Sequence, residues 1–121
     1  MRTTIAVLIA LALGATAWAQ GSISLVANGK NVHSDPPPMM HNNRVYVPLR
    51  AAAEAVGGEV EYDAATKRIS VCKGDMCTFI MQREGLTVNG RLLVGIRQVG
   101  EALDARVDWD GASRTVRINA S

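Results

Sequence analysis

The sequence predicts an α+β domain with a mainly antiparallel sheet and two helices packed on one face of that sheet. Two stretches of the chain, residues 42–71 and residues 89–118, align without gaps at an offset of 47. Each stretch places one helical segment between short segments in which apolar and polar residues alternate, as they do in half-buried strands. The strands are short and are joined by local turns, which favours antiparallel pairing.

The internal repeat sets the domain organisation. Nine of the thirty aligned pairs are identical: Asn42/Asn89, Arg44/Arg91, Val47/Val94, Arg50/Arg97, Glu54/Glu101, Ala55/Ala102, Val60/Val107, Asp63/Asp110 and Ala65/Ala112. A repeat at a fixed offset indicates one supersecondary unit used twice, with the apolar faces of the two copies packed together. We therefore predict two β-β-α-β-β units, at residues 39–72 and 86–119, preceded by an N-terminal hairpin.

Residues 1–19 are predicted to be a signal peptide. Arg2 supplies a positive start, residues 5–15 are apolar, and Ala17-Trp18-Ala19 fits the small-x-small rule for cleavage. A membrane anchor needs about twenty apolar residues, so no membrane span is expected after cleavage. We expect residues 20–121 to form a single exported domain, in a periplasm or outside the cell.

The N-terminal hairpin is predicted from strand and turn patterns. Residues 22–26 alternate as a strand does, and Asn28-Gly29 is a strong turn signal. Residues 31–32 are a short partner strand. The three prolines of residues 34–38 cannot donate hydrogen bonds to a strand, so this segment is predicted to be an extended surface connection.

Each repeat copy then gives the same series of elements. The predicted strands are 39–41, 44–47, 59–63 and 68–72 in the first copy, and 86–88, 91–94, 106–110 and 114–119 in the second. The helices are predicted at residues 51–56 and 96–103. Pro48 suits a helix start because its missing N–H costs nothing there, and Gly57-Gly58 suits a helix end. Asn42-Asn43 and Asn89-Gly90 suit two-residue hairpin turns, in which both residues have positive φ.

Cys72 and Cys77 are the only cysteines. If Gly74-Asp75 is a two-residue hairpin loop, the cysteines face each other as a non-hydrogen-bonded pair with Cα atoms about 4.5 Å apart. That distance is at the short end of disulfide geometry, so we predict a disulfide across the hairpin. A free dithiol or a ligand pair for a soft metal is the alternative.

Composition makes nucleic acid a poor candidate partner. The chain has a formal net charge of +2, with Lys67-Arg68 as the only adjacent basic pair after the N-terminal segment. Proteins that bind nucleic acids gather basic residues on one face and often add aromatic side chains for stacking. Here the aromatic residues make up only 4% of the sequence.

Fifteen residues of the first copy carry a resemblance to a known family: Arg44, Val47, Pro48, Leu49, Arg50, Glu54, Ala55, Gly57, Val60, Tyr62, Asp63, Thr66, Lys67, Ile69 and Val71. Their pattern resembles the bacterial copper amine oxidase N-terminal-like domain, or stalk domain, over about residues 22–118. The second copy departs from it at Gly95 and Asp104. The resemblance implies an exported bacterial module, often attached to envelope enzymes, that is not a known catalyst. It implies no copper site, because the copper of amine oxidases belongs to another domain.

Five residues in the sequence are candidate ligands for a metal ion. His33, Met39, Met40 and His41, with Met76 as a further candidate, offer imidazole and thioether groups that suit copper. The two histidines are separated by three prolines and follow no compact ligand spacing. A surface loop and a strand whose Met side chains fill gaps explain these residues more simply.

The recurring charged residues are predicted to be structural. Arg50/Glu54 and Arg97/Glu101 stand four residues apart in the two helices, where such pairs stabilise a helix slightly or tie it to a hairpin. Asp63 and Asp110 precede hairpin turns, where Asp accepts hydrogen bonds from turn amides. The chain has no nucleophile elbow and no phosphate-binding glycine loop.

The sequence therefore favours an exported, non-catalytic binding or spacer module of the bacterial cell envelope, with no cofactor. The expected partner is a cell-wall or envelope glycan or protein. The alternatives are a periplasmic copper-binding protein that uses the His/Met residues, and a hydrolase whose residues the sequence does not reveal. The repeated positions are interpreted as scaffold, and specificity is expected in residues 31–41 and in the Cys72–Cys77 hairpin.

Overall fold

A computed structural model describes residues 22–120, and the predicted signal peptide lies outside the described residues. The described chain forms these elements: β1 Ser24–Ala27, β2 Lys30–Val32, β3 Met39–His41, β4 Arg44–Pro48, α1 Leu49–Ala55, β5 Glu59–Asp63, β6 Arg68–Lys73, β7 Met76–Met81, a 3-10 turn Gln82–Glu84, β8 Leu86–Val88, β9 Arg91–Gly95, α2 Ile96–Leu103, β10 Ala105–Asp110 and β11 Thr115–Ala120. The second helix has the predicted bounds. The first begins two residues earlier than predicted, directly after Pro48.

The strands form three sheets rather than the single sheet that we expected. The central sheet has the order β3-β4-β9-β8, and the outer sheets have the orders β5-β6-β7 and β10-β11-β1-β2. In each copy the inner hairpin lies in the central sheet and the outer hairpin lies in an outer sheet. The prediction of a mostly antiparallel α+β fold is confirmed. The one exception to antiparallel pairing in the described chain is β1, which lies parallel to β11.

The central sheet joins equivalent strands of the two copies. Strands β4 and β9 run antiparallel, and Val47 faces Val94, its own counterpart at the offset of 47. The flanking pairs, Tyr46 with Gly95 and Pro48 with Leu93, exchange under the same offset. The register of this ladder therefore has an approximate two-fold relation centred on the two valines.

The helices occupy the middle of the molecule. Both α1 and α2 contact strands of all three sheets, so the prediction that they lie on one face of a single sheet is wrong. Their buried residues are Leu49, Ala52, Ala53, Val99, Ala102 and Leu103. These join one core with strand residues from all three sheets. Burial from three directions stabilises helices that are too short to be stable alone.

The local signals for turns and helix ends explain the chain path. Asn42 and Asn43 have φ values of 51° and 62°, as a type I′ turn requires. After α1, the Gly57 N–H donates to Glu54 O and the Gly58 N–H donates to Ala53 O, at 3.2 and 2.7 Å. With Gly57 at φ 86°, this is a Schellman ending. Neither helix within residues 22–120 has the length and apolar character needed to cross a membrane.

Candidate functional site: two clefts with equivalent linings

Cleft 1 has a volume of about 860 Å³ and lies beside α1. Its wall combines the exposed side of α1, strand β5, the β8–β9 turn of the other copy and the connection after β2. Tyr62 stands on β5 with 47% of its surface exposed. Its hydroxyl donates a hydrogen bond of 2.9 Å to the side-chain oxygen of Gln82, which fixes the ring at the cleft.

The charged groups of cleft 1 are partly engaged with each other. The Arg50 guanidinium donates to the main-chain oxygen of Val60 at 3.1 Å and lies 3.8 Å from the Glu54 carboxylate. Arg50 therefore ties α1 to β5, which is the structural role predicted for it. Arg91 reaches the same cleft from the other copy and has no hydrogen bond or ion pair among residues 22–120.

Cleft 2 has a volume of about 1080 Å³ and lies beside α2. Trp109 on β10 lines it and is half-buried, with the Arg114 guanidinium 6.0 Å from the ring centroid. Arg44, Arg97 and Glu101 also line this cleft, and none of the three has a polar partner within the described chain. Cleft 2 therefore presents more uncommitted charged groups than cleft 1.

The two clefts are built from equivalent positions. Eleven of the fifteen residues that line cleft 2 correspond, at the offset of 47, to residues that line cleft 1. Seven pairs come from the helix and the following strand: Pro48/Gly95, Leu49/Ile96, Arg50/Arg97, Ala51/Gln98, Glu54/Glu101, Val60/Val107 and Tyr62/Trp109. Four come from the hairpin of the opposite copy: Thr87/Met40, Gly90/Asn43, Arg91/Arg44 and Leu92/Val45. The recurring positions thus have a surface role as well as a folding role.

The clefts differ where the copies differ. His33, Ser34 and Asp35, from the connection between β2 and β3, line cleft 1. In cleft 2 the four lining residues without an equivalent in cleft 1 are Tyr46, Glu84, Gly100 and Ala105. Of the two places where we expected specificity, the segment of residues 31–41 contributes to both clefts, whereas the Cys72–Cys77 hairpin lines neither.

The repeated aspartates have the turn role expected of them. The Asp63 carboxylate accepts the Ala65 N–H at 3.0 Å, and the Asp110 carboxylate accepts the Ala112 N–H at 3.1 Å. Hydrogen bonds from the Ser113 side chain and main chain lower the pKa of Asp110 below its usual value, and Arg117 acts in the same direction. Both residues stabilise turns of the outer hairpins.

The structure does not gather the candidate copper ligands. His33 lines cleft 1, whereas Met40 lines cleft 2. Met39 and Met40 are consecutive strand residues and so point to opposite faces of the sheet. The His41 ring makes an edge contact with Tyr46, with centroids 6.0 Å apart. No group of three or more His, Cys, Asp or Glu side chains within residues 22–120 could hold a metal ion.

The predicted disulfide is present. Cys72 and Cys77 are bonded, their Cα atoms are 4.0 Å apart, and they face each other across the β6–β7 hairpin next to the Lys73/Met76 pair. Phe79 stands on the same face of β7, 56% exposed, with the Arg68 guanidinium 4.3 Å from its ring centroid. This outer face is separate from the linings of both clefts.

The sequence did not reveal the two clefts as binding surfaces. Arg44/Arg91 and Arg50/Arg97 were identical pairs, and Tyr62/Trp109 was an aromatic pair. Their meeting depends on the crossing of the copies, since each cleft takes its helix from one copy and its hairpin from the other. The signal available in the sequence was the recurrence of polar and aromatic residues at equivalent positions of the two copies.

Comparison with known proteins identifies the family. The family described as copper amine oxidase N-terminal domain matches the chain at residues 26–81 and again at residues 77–121. Searches of curated proteins and of solved structures found no match. The matched residues span most of the chain and agree with the resemblance carried by the repeat. The chain belongs to the copper amine oxidase N-terminal domain family.

Proposed function

We propose that the protein is an exported, non-catalytic module of the bacterial cell envelope that binds an envelope component in cleft 1. Membership of the copper amine oxidase N-terminal domain family supports a module of this type, because in amine oxidases that domain is the non-catalytic stalk. The signal-like residues 1–19 support export. The ligand of such a module is a cell-wall or envelope glycan or protein.

The observation that carries the proposal is the exposed ring of Tyr62 at the edge of cleft 1. A Tyr that leaves 47% of its surface in water in a 99-residue described chain gives up burial that would stabilise the fold. Its hydroxyl is held by Gln82 at 2.9 Å, so the ring is already ordered before a ligand arrives. A fixed aromatic surface reduces the entropy lost on binding.

The chemistry of cleft 1 suits binding better than catalysis. General acid–base catalysis needs groups whose pKa values are matched to the reaction, and nucleophilic catalysis needs a nucleophile beside a base. Arg50, the best-placed cation, is held by a main-chain carbonyl and by Glu54. His33 is exposed, and the cleft lining has no cysteine.

The proposal is tested by co-sedimentation of the full chain with purified cell wall, and by capture of envelope proteins. We expect Tyr62→Ala to reduce binding at least tenfold, because it removes the aromatic surface. Tyr62→Phe keeps the ring and should reduce binding by less. Binding that is unchanged in Tyr62→Ala, or no binding to either preparation, would contradict the proposal.

Phe79→Ala is the matched control. Phe79 is exposed to a similar extent as Tyr62, but it lies on the outer face of β7, away from both clefts. Its removal should leave binding unchanged, which separates an effect of cleft 1 from a general loss of exposed aromatic surface. Thermal unfolding of each variant shows whether the fold is intact.

A further inference from the structure

We propose that cleft 2 is a second binding site and that both clefts take segments of one ligand class, a neutral glycan of repeating pyranose sugars. This inference rests on the proposed function of cleft 1 and extends it to the other side of the molecule. The module is then bivalent, and it holds two glycan segments at once.

Cleft 2 repeats the chemical features of cleft 1. Trp109 stands at the position equivalent to Tyr62, and Arg97 and Arg44 stand at the positions equivalent to Arg50 and Arg91. These positions are equivalent at the offset of 47, and the paired strands β4 and β9 follow the same offset about Val47 and Val94. A ligand that fits one cleft therefore meets an aromatic ring and two guanidinium groups in the other as well.

The polar groups of cleft 2 are available to a ligand. Arg44, Arg97 and Glu101 have no polar partner within residues 22–120, whereas Glu84 accepts hydrogen bonds from the Met81 N–H at 2.7 Å and from the Gln98 amide at 3.4 Å. Guanidinium and carboxylate groups donate to and accept from neighbouring hydroxyls in pairs. Vicinal hydroxyls of a pyranose offer such pairs.

The aromatic residues account for the other half of sugar recognition. One face of a pyranose ring carries C–H groups and is apolar, while its rim carries hydroxyls. Trp and Tyr combine a large apolar surface with one polar atom and so suit a ligand of that mixed character. Trp109 is braced by Arg114, 6.0 Å from the ring centroid, and lines the cleft.

The charge of the clefts favours a neutral ligand over an anionic one. Cleft 1 has Arg50 and Arg91 with Asp35 and Glu54, and cleft 2 has Arg44 and Arg97 with Glu84 and Glu101. Each cleft thus has two guanidinium groups and two carboxylates. The formal charges of each cleft therefore sum to zero, so a polyanion gains no net electrostatic attraction there, and hydrogen bonding to a neutral glycan suits the mixed charges.

Fluorescence of Trp109 tests cleft 2 directly. In the full-length Trp18→Phe variant, Trp109 is the only tryptophan, so its emission reports on cleft 2 alone. The probe is a soluble hexamer of β-1,4-linked N-acetylglucosamine. We expect a saturable change in Trp109 emission, and this change should persist when Tyr62→Ala is added. Calorimetry on the chain with both clefts intact should give a stoichiometry of two hexamers per chain.

Variants of cleft 2 complete the test. Arg97→Ala should reduce the stoichiometry from two to one and weaken binding to polymeric chitin at least tenfold, because avidity is lost. Trp109→Ala should have the same effect. If Trp109→Ala does not fold, Arg97→Ala alone tests the contribution of cleft 2. The hexamer affinity should change less than about threefold between 50 and 500 mM NaCl, since the probe is neutral.

Three results would overturn this inference and leave cleft 1 as a binding site. The first is a stoichiometry of one that Tyr62→Ala abolishes, with Trp109 emission unchanged. The second is a tenfold loss of affinity in high salt, which would indicate an anionic partner. The third is binding of envelope protein, dependent on Tyr62, without binding of the hexamer. If the unaltered chain binds neither cell wall nor envelope protein, the proposed function itself is contradicted.

Discussion

The two copies of the repeat place a methyl group on opposite sides of the same contact. In the first copy, helix α1 has Ala53 and the chain entering β5 has Gly58; in the second copy, α2 has Gly100 and β10 begins at Ala105. These are equivalent positions at the offset of 47. A Cβ added at Gly58 would lie 3.2 Å from Ala53 O, and one added at Gly100 would lie 2.9 Å from Ala105 O. In both copies the glycine lies against a main-chain oxygen of the facing segment, although the glycine is on the entering strand in the first copy and on the helix in the second.

The same comparison holds for the clefts. In cleft 1 the Arg50 guanidinium is tied to the main chain, and His33 and Asp35 of the connection after β2 border the cleft. In cleft 2 Arg44, Arg97 and Glu101 have no polar partner among residues 22–120. The two clefts therefore differ in how their charged groups are engaged, although both have an aromatic residue, two guanidinium groups and two carboxylates. This pattern is expected of two sites on a shared scaffold that take one class of ligand.

The largest predicted effect concerns the pair at the centre of the two-fold relation. Val47 and Val94 are both fully buried and face each other between β4 and β9. Val47→Ala and Val94→Ala should each lower the free energy of unfolding by roughly 2–4 kcal/mol, measured by urea denaturation. The double variant should differ from the sum, because the residues are in one contact. Val88→Ala, at a half-buried position on the edge strand β8, should lower the free energy of unfolding less than either of these substitutions. Clearly unequal effects of the two buried substitutions would weaken the equivalence.

The next effect tests the exchanged methyl group. Gly100→Ala should lower the free energy of unfolding by about 1 kcal/mol, since the clash with Ala105 O and with Val107 Cγ2 at 3.2 Å exceeds the gain in helix propensity. Adding Ala105→Gly leaves the main-chain oxygen of residue 105 in place and should not recover that loss. Thermal denaturation of the single and double variants measures the difference. A double variant as stable as the unaltered chain would show that the Ala105 methyl group, rather than the main-chain oxygen, limits the space.

A smaller effect is expected at the helix ends. Gly57 and Asp104 are equivalent, and both have positive φ, 86° and 50°. Because a side chain makes this conformation less favourable, Asp104→Gly should raise the free energy of unfolding by roughly 0.5 kcal/mol. Gly57→Ala should lower it by about 1 kcal/mol through the positive φ alone, because an added Cβ meets no atom of the rest of the chain within 4 Å. Destabilisation by Asp104→Gly would show that Asp104 has a role beyond the cap.

The smallest predicted effect concerns Asp110 and acid pH. Its pKa in the folded chain is lowered from the usual 3.8, first by the Ser113 hydrogen bonds. The folded state therefore binds fewer protons than the unfolded state in this range. The resulting stabilisation is complete above pH 3.8 and is lost as the pH falls through the lowered folded value. Asp110→Asn keeps the turn acceptor and should reduce the slope of stability against pH in this acid range. An unchanged slope would contradict the assigned cause.

Local signals were sufficient to predict most elements of the fold. Asn-Asn and Asn-Gly turns, the double glycine after α1 and the alternation along β5 and β10 each act within a few residues. The pairing of β1 with β11 could not be predicted because it joins segments about 90 residues apart, such as Ser24 and Thr115. The division into three sheets depends on the pairing of β4 with β9, in which Val47 and Val94 are 47 residues apart. The clefts were missed for the same reason, since each combines a helix of one copy with a hairpin of the other.

The most direct test of the central claim is to map ligand contacts on the isotopically labelled full chain by NMR, using the N-acetylglucosamine hexamer. If the repeated positions form two equivalent sites, the shifted backbone amides should fall into two groups, one around Arg50 and Tyr62 and the other around Arg97 and Trp109. Shifts confined to the Cys72–Cys77 hairpin and Phe79 would contradict the account. Hexamer binding without shifts in either of the two groups would also contradict it.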